Sequence, residues 1–365
     1  MSPIDGPARA GLSRHALTLA LALGGALACL WLRTPLPWFI GPLLVTAAAA
    51  MSGLPVRGSL VLRNTGLWVI GTALGLYFTP EVVAMLPGLA PVIATSIVWA
   101  LACGYGYYHW LWRANRALPG LTRETAFFSS AIGGASEMAL LADRRGGRVD
   151  LVASAHSLRI MLVVLTVPFA MQALGTQGTE TAPLAARAVQ PAGLALLCAL
   201  TALGGLALRA LRAPNPWMLG ALAVSVLLAA RDAAPSGLPQ EMSNAAQLFL
   251  GCALGARFQP DFLRAAPRWM LSVAAGTLAM IVASALFTWG LAAAAGQHVA
   301  TLVLGTCPGG MTEMAITAKV LQLGVPVVTV LQLLRYLAVM LLTARLWGWE
   351  ARRLRRAPRG VGTSG

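Results

Sequence analysis

Gly133-Gly134-Ala135-Ser136-Glu137-Met138-Ala139 recurs as Gly309-Gly310-Met311-Thr312-Glu313-Met314-Ala315, 176 residues further along the chain. Leu158-Arg159 recurs as Leu334-Arg335 at the same offset. Small residues match by chance in apolar sequence. A Glu followed 22 residues later by an Arg, twice and at one offset, does not. The repeat extends toward the start of each half. Leu36-Pro37-Trp38-Phe39-Ile40-Gly41 returns as Asn215-Pro216-Trp217-Met218-Leu219-Gly220, at an offset of 179. Gly71-Thr72-Ala73-Leu74-Gly75-Leu76-Tyr77-Phe78-Thr79-Pro80 returns as Gly251-Cys252-Ala253-Leu254-Gly255-Ala256-Arg257-Phe258-Gln259-Pro260, at 180. The chain is an internal duplication, so what one half folds into the other does too.

The 365 residues are 58% hydrophobic and 11% charged, with a mean hydropathy of +0.72. A soluble domain carries about 25% charged residues, so a soluble enzyme and a free DNA-binding protein are excluded. Twelve apolar segments, bounded by Pro, Gly and Arg, run at 15–32, 36–52, 62–79, 88–112, 125–142, 151–172, 188–208, 215–230, 241–257, 268–293, 300–321 and 325–347. The first is read as a helix rather than a signal peptide, because it lacks a small-residue cleavage site and more spans follow. Cys29, Cys103, Cys198, Cys252 and Cys307 lie scattered, mostly in apolar runs, and read as small buried hydrophobes.

The net charge of +15 comes from 26 arginines and the single Lys319 against 12 acids. In a membrane protein such a balance reports topology first. If all twelve segments cross, 15 basic residues fall inside and 10 outside. If 125–142 and 300–321 enter and leave on one side, the tally is 21 inside and 4 outside (Arg33, Arg187, Arg231, Lys319), with Arg159 and Arg335 left in the membrane. The second arrangement is preferred. It predicts an all-α polytopic membrane protein of two inverted repeats, each of five spanning helices plus one re-entrant glycine-rich hairpin. Gly133-Gly134 and Gly309-Gly310 supply the hairpin tips. The alternative is that these glycines only let full spans pack closely. The predicted division is a cytoplasmic tail (1–14), a first membrane repeat (15–172), an extracytoplasmic linker (173–187), a second repeat (188–347) and a basic cytoplasmic tail (348–365).

Of the twelve acids, only Glu137 and Glu313 lie within apolar segments, and Arg159 and Arg335 are the only arginines deep in a span. An ionised side chain near the bilayer centre costs about 2.5–3.5 kcal/mol on insertion scales. Two Glu–Arg pairs would offset most of that. One reading makes the pairs structural, fixing how helices dock. The other places a substrate or ion site at the midplane between inverted repeats, as in secondary transporters. There the arginines hold an anionic group or balance charge, the glutamates take a proton or a cation, and Ser136 and Thr312 add hydroxyls. His156 precedes Arg159 by three residues, on the same helix face, and Gln332 stands at its counterpart. Both join the candidate set, the histidine either as a proton relay or as a polar packing contact. Asn64 and Asn244 are expected as caps or interhelical contacts. Trp38 and Trp217 are expected as interface anchors or as shaping a short, broken helix.

No His, Cys or carboxylate spacing suits a metal, and no Walker, dinucleotide or nucleophile motif is present. Neither a metal site nor a cofactor is expected. Arg352-Arg353-Leu354-Arg355-Arg356 reads as a topology signal and anionic-lipid anchor.

The Pro-Trp-x-x-Gly, Gly-Gly-x-x-Glu-Met and Leu-Arg motifs, duplicated across about residues 17–348, resemble those of the AbrB-type membrane protein family. The resemblance implies a duplicated membrane unit. Relatives carry two labels, a regulator of gene expression and an ammonia monooxygenase. A monooxygenase would need copper ligands, which this His and Cys inventory does not supply, and a direct transcriptional regulator would need a DNA-reading domain. The repeat fold also resembles elevator-type secondary transporters with glycine-rich hairpins, by analogy of fold alone.

The expected function is a secondary transporter, an exporter or proton-coupled carrier of a small polar or charged metabolite. It would sit in the bacterial inner membrane with both termini cytoplasmic. No enzymatic activity and no direct nucleic-acid contact are expected. The partners are the lipid bilayer and a small-molecule or ion substrate, with homo-oligomerisation left open. The alternative is a membrane regulator of gene expression acting indirectly or through a partner; a monooxygenase-like membrane enzyme ranks below both.

Overall fold

A computed structural model describes residues 7–176, 178, 188–258 and 266–356. Arg187, Gln259, Pro260, Arg264 and the ends of both expected tails lie outside the described residues. The described residues form fifteen α-helices, one 3₁₀ turn and no strand.

Six helical stretches are long and apolar enough to cross a bilayer. They are α1 (Pro7–Trp31), α5 (Ala90–Ala114) with the short α4 (Pro80–Met85) and a 3₁₀ turn before it, α8 (Val149–Ala173), α9 (Pro191–Ala210), α12 (Pro267–Ala295) and α15 (Val325–Arg356). The other four expected spans are α2 (Pro37–Met51), α3 (Leu60–Gly75), α10 (Pro216–Ala229) and α11 (Gln240–Gly255), of 15, 16, 14 and 16 residues. At 1.5 Å per residue they reach about 21–24 Å, short of the roughly 30 Å hydrocarbon core. Helices α1 and α15 also extend into the segments expected as tails.

The four short helices interlock across the two halves: α2 packs on α11, and α3 on α10. Glycine makes this possible. A Cβ at Gly71 would strike the carbonyl of Met218, and one at Gly251 that of Phe39. Small residues let backbones approach where apolar burial gives no net drive between helices in lipid. Helices α1 and α9 complete this bundle, packing on α2 and α10.

The second bundle holds α5, α8, α12 and α15 and two broken segments. The first segment is α6 (Arg123–Ser130) and α7 (Ala135–Asp143); the second is α13 (Val299–Thr306) and α14 (Met311–Val320). The Gly133-Gly134 and Gly309-Gly310 pairs fall in the gaps. In the first segment Arg148 N donates to Thr125 Oγ1 at 2.9 Å. The start of α6 therefore lies beside the end of α7.

The duplication is written into the backbone. Left-handed φ angles occur in pairs at the offsets of the sequence repeat: Arg33 and Arg212, Leu36 and Asn215, Gly53 and Asp232, Gly120 and Gly296, Gly146 and Gln322. Leu36 and Asn215 each precede a proline, which disfavours the right-handed region for the residue before it.

At one end of the second bundle, Tyr105 and Tyr108 of α5 donate to Glu350 of α15 at 3.0 and 3.4 Å. Arg123 of α6 donates to Tyr108 Oη, and Trp269 of α12 to the carbonyl of Leu151. Glu350, expected at a span edge or in the tail, is instead 2% exposed.

Candidate site at the two broken-helix tips

Each tip exposes two helix ends of opposite polarity. The last carbonyls of the first half-helix carry partial negative charge, and the first amides of the second carry partial positive charge. The repeated Arg and Glu answer these ends separately. Arg159, 2% exposed, donates to the carbonyls of Ser129 and Ala131 at 3.3 and 3.0 Å, at the end of α6. Arg335 does the same for Thr306, Cys307 and Gly309 at the end of α13 and just beyond it. Glu137 and Glu313 lie in the first turns of α7 and α14. A Cβ at Gly134 would collide with Glu137 Oε2, and one at Gly310 with Glu313 Oε2, so each carboxylate folds back over its own helix start.

The direct Glu–Arg pairing expected from sequence is not what compensates these charges. Among the described residues neither glutamate makes an ion pair. Glu137 instead accepts from Tyr336 Oη at 3.3 Å. Two helix ends lie closer to hand than the opposite charge, and each takes its complement.

His156 and Gln332 perform one task with different chemistry. His156 Nε2 meets the carbonyl of Phe128 at 3.0 Å and Nδ1 meets Arg159 Nη2 at 2.7 Å. Gln332 Nε2 donates to the carbonyl of Leu304 at 2.6 Å and its Oε1 accepts from Arg335. Arginine only donates, so Nδ1 accepts and Nε2 carries the proton. The imidazole is therefore neutral, matching an amide that donates on one side and accepts on the other.

The tips rest on the opposite halves: Gly133 against Val339 of α15, Gly309 against Val163 of α8. Between them and the interlocked bundle lies a cavity of about 310 Å³. Glu137, Glu313, Arg159, Arg335, Ser136, Thr312 and the four tip glycines all line it. His156 and Gln332 do not; they stand behind the arginines. Thr312 Oγ1 is turned to Met218 Sδ at 3.2 Å, whereas Ser136 is exposed.

Sequence reading missed part of this wall. Arg63 and Asn64 of α3, Asn215 before α10, Arg257 after α11 and Tyr336 of α15 also line the cavity. Asn64 and Asn244 were expected as caps or interhelical contacts; Asn64 lines the cavity, and Asn244 accepts from Gln240 of its own helix at 2.9 Å. Trp217 shares the wall and packs over Gly205, while Trp38 packs with Ala22, Leu248 and Cys252. A signal for the arginines was available: Ser243 stands at the counterpart of Arg63 and Tyr77 at that of Arg257. A charge present in one half of a duplication and absent from the other marks a place where the halves do different work.

Residues 38–350 match the family described as "Transition state regulatory protein AbrB". Among curated proteins the chain is similar to "Uncharacterized protein YhjN" of Bacillus subtilis (strain 168), 25% identical over 337 residues, 84% of this chain and 85% of the relative. It is also similar to "Putative regulator AbrB" of Escherichia coli (strain K12), 22% identical over 327 residues, 89% of this chain and 92% of the relative.

Proposed function

We propose that this chain, which belongs to the AbrB family, is a secondary transporter of a small polar or charged metabolite, with its substrate site in the cavity between the two broken-helix tips. The observation that carries this reading is the convergence of both tips on that one cavity. Irregular backbone at membrane depth is tolerated where protein or water covers it, and transporters of inverted-repeat design place their sites at such broken helices.

In this proposal the two broken segments are re-entrant hairpins and the halves are inverted repeats. Support comes from the contact between Thr125 and Arg148, which returns the first hairpin to the end of the bundle it left. Arg123, Arg144, Arg145, Arg148, Arg268 and Arg353 then gather at one end, read as the cytoplasmic one by the positive-inside rule, and this proposal keeps both termini on the cytoplasmic side of an inner membrane. The interlocked bundle serves as the fixed frame and the hairpin bundle as the moving part. Glu137 and Glu313 couple or coordinate at the tips, Arg159 and Arg335 hold the tips closed on themselves, and no catalytic step is assigned.

The regulator reading draws on the family description and the name of the Escherichia coli relative. Reconstitution separates the two. Purified protein is screened by thermal shift against metabolites and ions across pH, beside Glu137→Gln and Glu313→Gln. A compound that stabilises the wild type and neither variant is then tested for flux into liposomes. Flux without any partner is the expected result. Binding without flux favours the regulator.

A further inference from the structure

The six charged residues lining the cavity are four arginines and two glutamates, Arg63, Arg159, Arg257, Arg335, Glu137 and Glu313. Two opposite charges cannot neutralise four, and the arginines are not equivalent. Arg159 and Arg335 are committed to the tip carbonyls. Arg63 and Arg257 donate no side-chain hydrogen bond and make no ion pair among the described residues. Arg257 feels Arg63, Glu137 and Glu313 electrostatically, so the two arginines share one field. Neither is committed to a carbonyl, and two guanidinium groups repel one another. The Nε atoms of Arg159 and Arg335 are also buried without a partner.

We infer that the cavity binds a small oxyanion, a carboxylate- or phosphate-bearing metabolite, held by Arg63 and Arg257. This deepens the transporter reading and rests on its placement of the substrate site. Guanidinium groups present fixed pairs of donors that match carboxylate and phosphate oxygens. A cation would meet an excess of two positive charges, and a neutral solute would leave that excess in place. The volume sits at the small end of the roughly 300–1,000 Å³ of ligand clefts, which restricts the anion to a compact metabolite.

The test uses full-length protein in detergent, so that it does not depend on flux. Succinate and inorganic phosphate are titrated by thermal shift, with putrescine and erythritol as cationic and neutral counterparts of similar size. One or both anions are expected to raise the melting temperature saturably. Arg63→Gln and Arg257→Gln are expected to weaken binding at least tenfold, the Lys variants less, and Arg345→Gln, at an exposed position on α15, not at all. If the Gln variants do not fold, phenylglyoxal labelling of wild-type protein replaces them: the bound anion should protect Arg63 and Arg257, read by mass spectrometry, and leave Arg345 reactive. Succinate against phosphate tells the two oxyanion types apart. The inference is overturned if neither anion shifts the wild type at millimolar concentration, if putrescine stabilises it instead, or if both arginines label equally with and without the anion. An anion that binds this way but is never transported leaves the site standing and removes the transporter.

Discussion

Gly134 and Glu137 share one space: the position a β-carbon would take on the glycine is already held by Oε2 of the glutamate, and Gly310 and Glu313 repeat the relation. The Gly-Gly-x-x-Glu motif is therefore a single device. The second glycine is small because the carboxylate lies over it, and the carboxylate lies there because a helix begins there.

Replacing either glycine by alanine should push the carboxylate off the helix start. Gly134→Ala and Gly310→Ala are expected to cost about 1–3 kcal/mol, the usual toll of overpacking, and to abolish ligand stabilisation. Gly24 has nothing within 4 Å of an added Cβ, so Gly24→Ala should leave the unfolding temperature in place. Its neighbour Gly25 backs onto the carbonyl of Gly41, and Gly25→Ala should lower it.

Opposite charges that serve separate helix ends should be energetically independent. In a double-mutant cycle of Glu137→Gln with Arg159→Lys, the coupling should stay below about 0.5 kcal/mol, the range of non-contacting sites. The cycle of His156→Gln with Arg159→Lys should give a clearly larger value, because those side chains share a hydrogen bond. A strong Glu137–Arg159 coupling would restore the ion pair.

The shared task of His156 and Gln332 makes them exchangeable. His156→Gln and Gln332→His should each fold with near-native stability at neutral pH. His156→Leu, of similar bulk, removes the group between the carbonyl of Phe128 and Arg159. An unsatisfied buried partner costs about 1–3 kcal/mol, which chemical or thermal unfolding would register.

The glycine pairs expected as tips do fall in the helix breaks, while the expected Glu–Arg ion pairs are not formed among the described residues. The repeat of Glu and Arg was legible because ionised residues are rare in apolar segments. Their true complements, helix ends, are backbone features that appear only once the break between α6 and α7 is located to the residue. Glu350 was hidden for a related reason. It follows an apolar run and precedes a basic one, so it reads as solvated, yet two tyrosines 242 and 245 residues away close over it. Arg63 and Arg257 sit near the ends of α3 and α11 and counted only as topology signals. The family and the helical membrane character needed none of this detail.

The proposed re-entrant topology leans on one hydrogen bond and can be tested away from it. Because Arg148 N bonds Thr125 Oγ1, the turn holding Arg144 and Arg145 lies beside the start of α6, on the side that Arg123 and Arg353 also occupy through their bonds to Tyr108 and Tyr105. A full crossing by 125–142 would put Arg145 on the far side from Arg123. In protein freed of its native cysteines, Arg145→Cys and Arg212→Cys should therefore both react with an impermeant maleimide only in inverted vesicles, and not in intact cells. Labelling of position 145 from outside would mean that α6 and α7 together cross the bilayer, and the inverted arrangement of the two halves would fall with it.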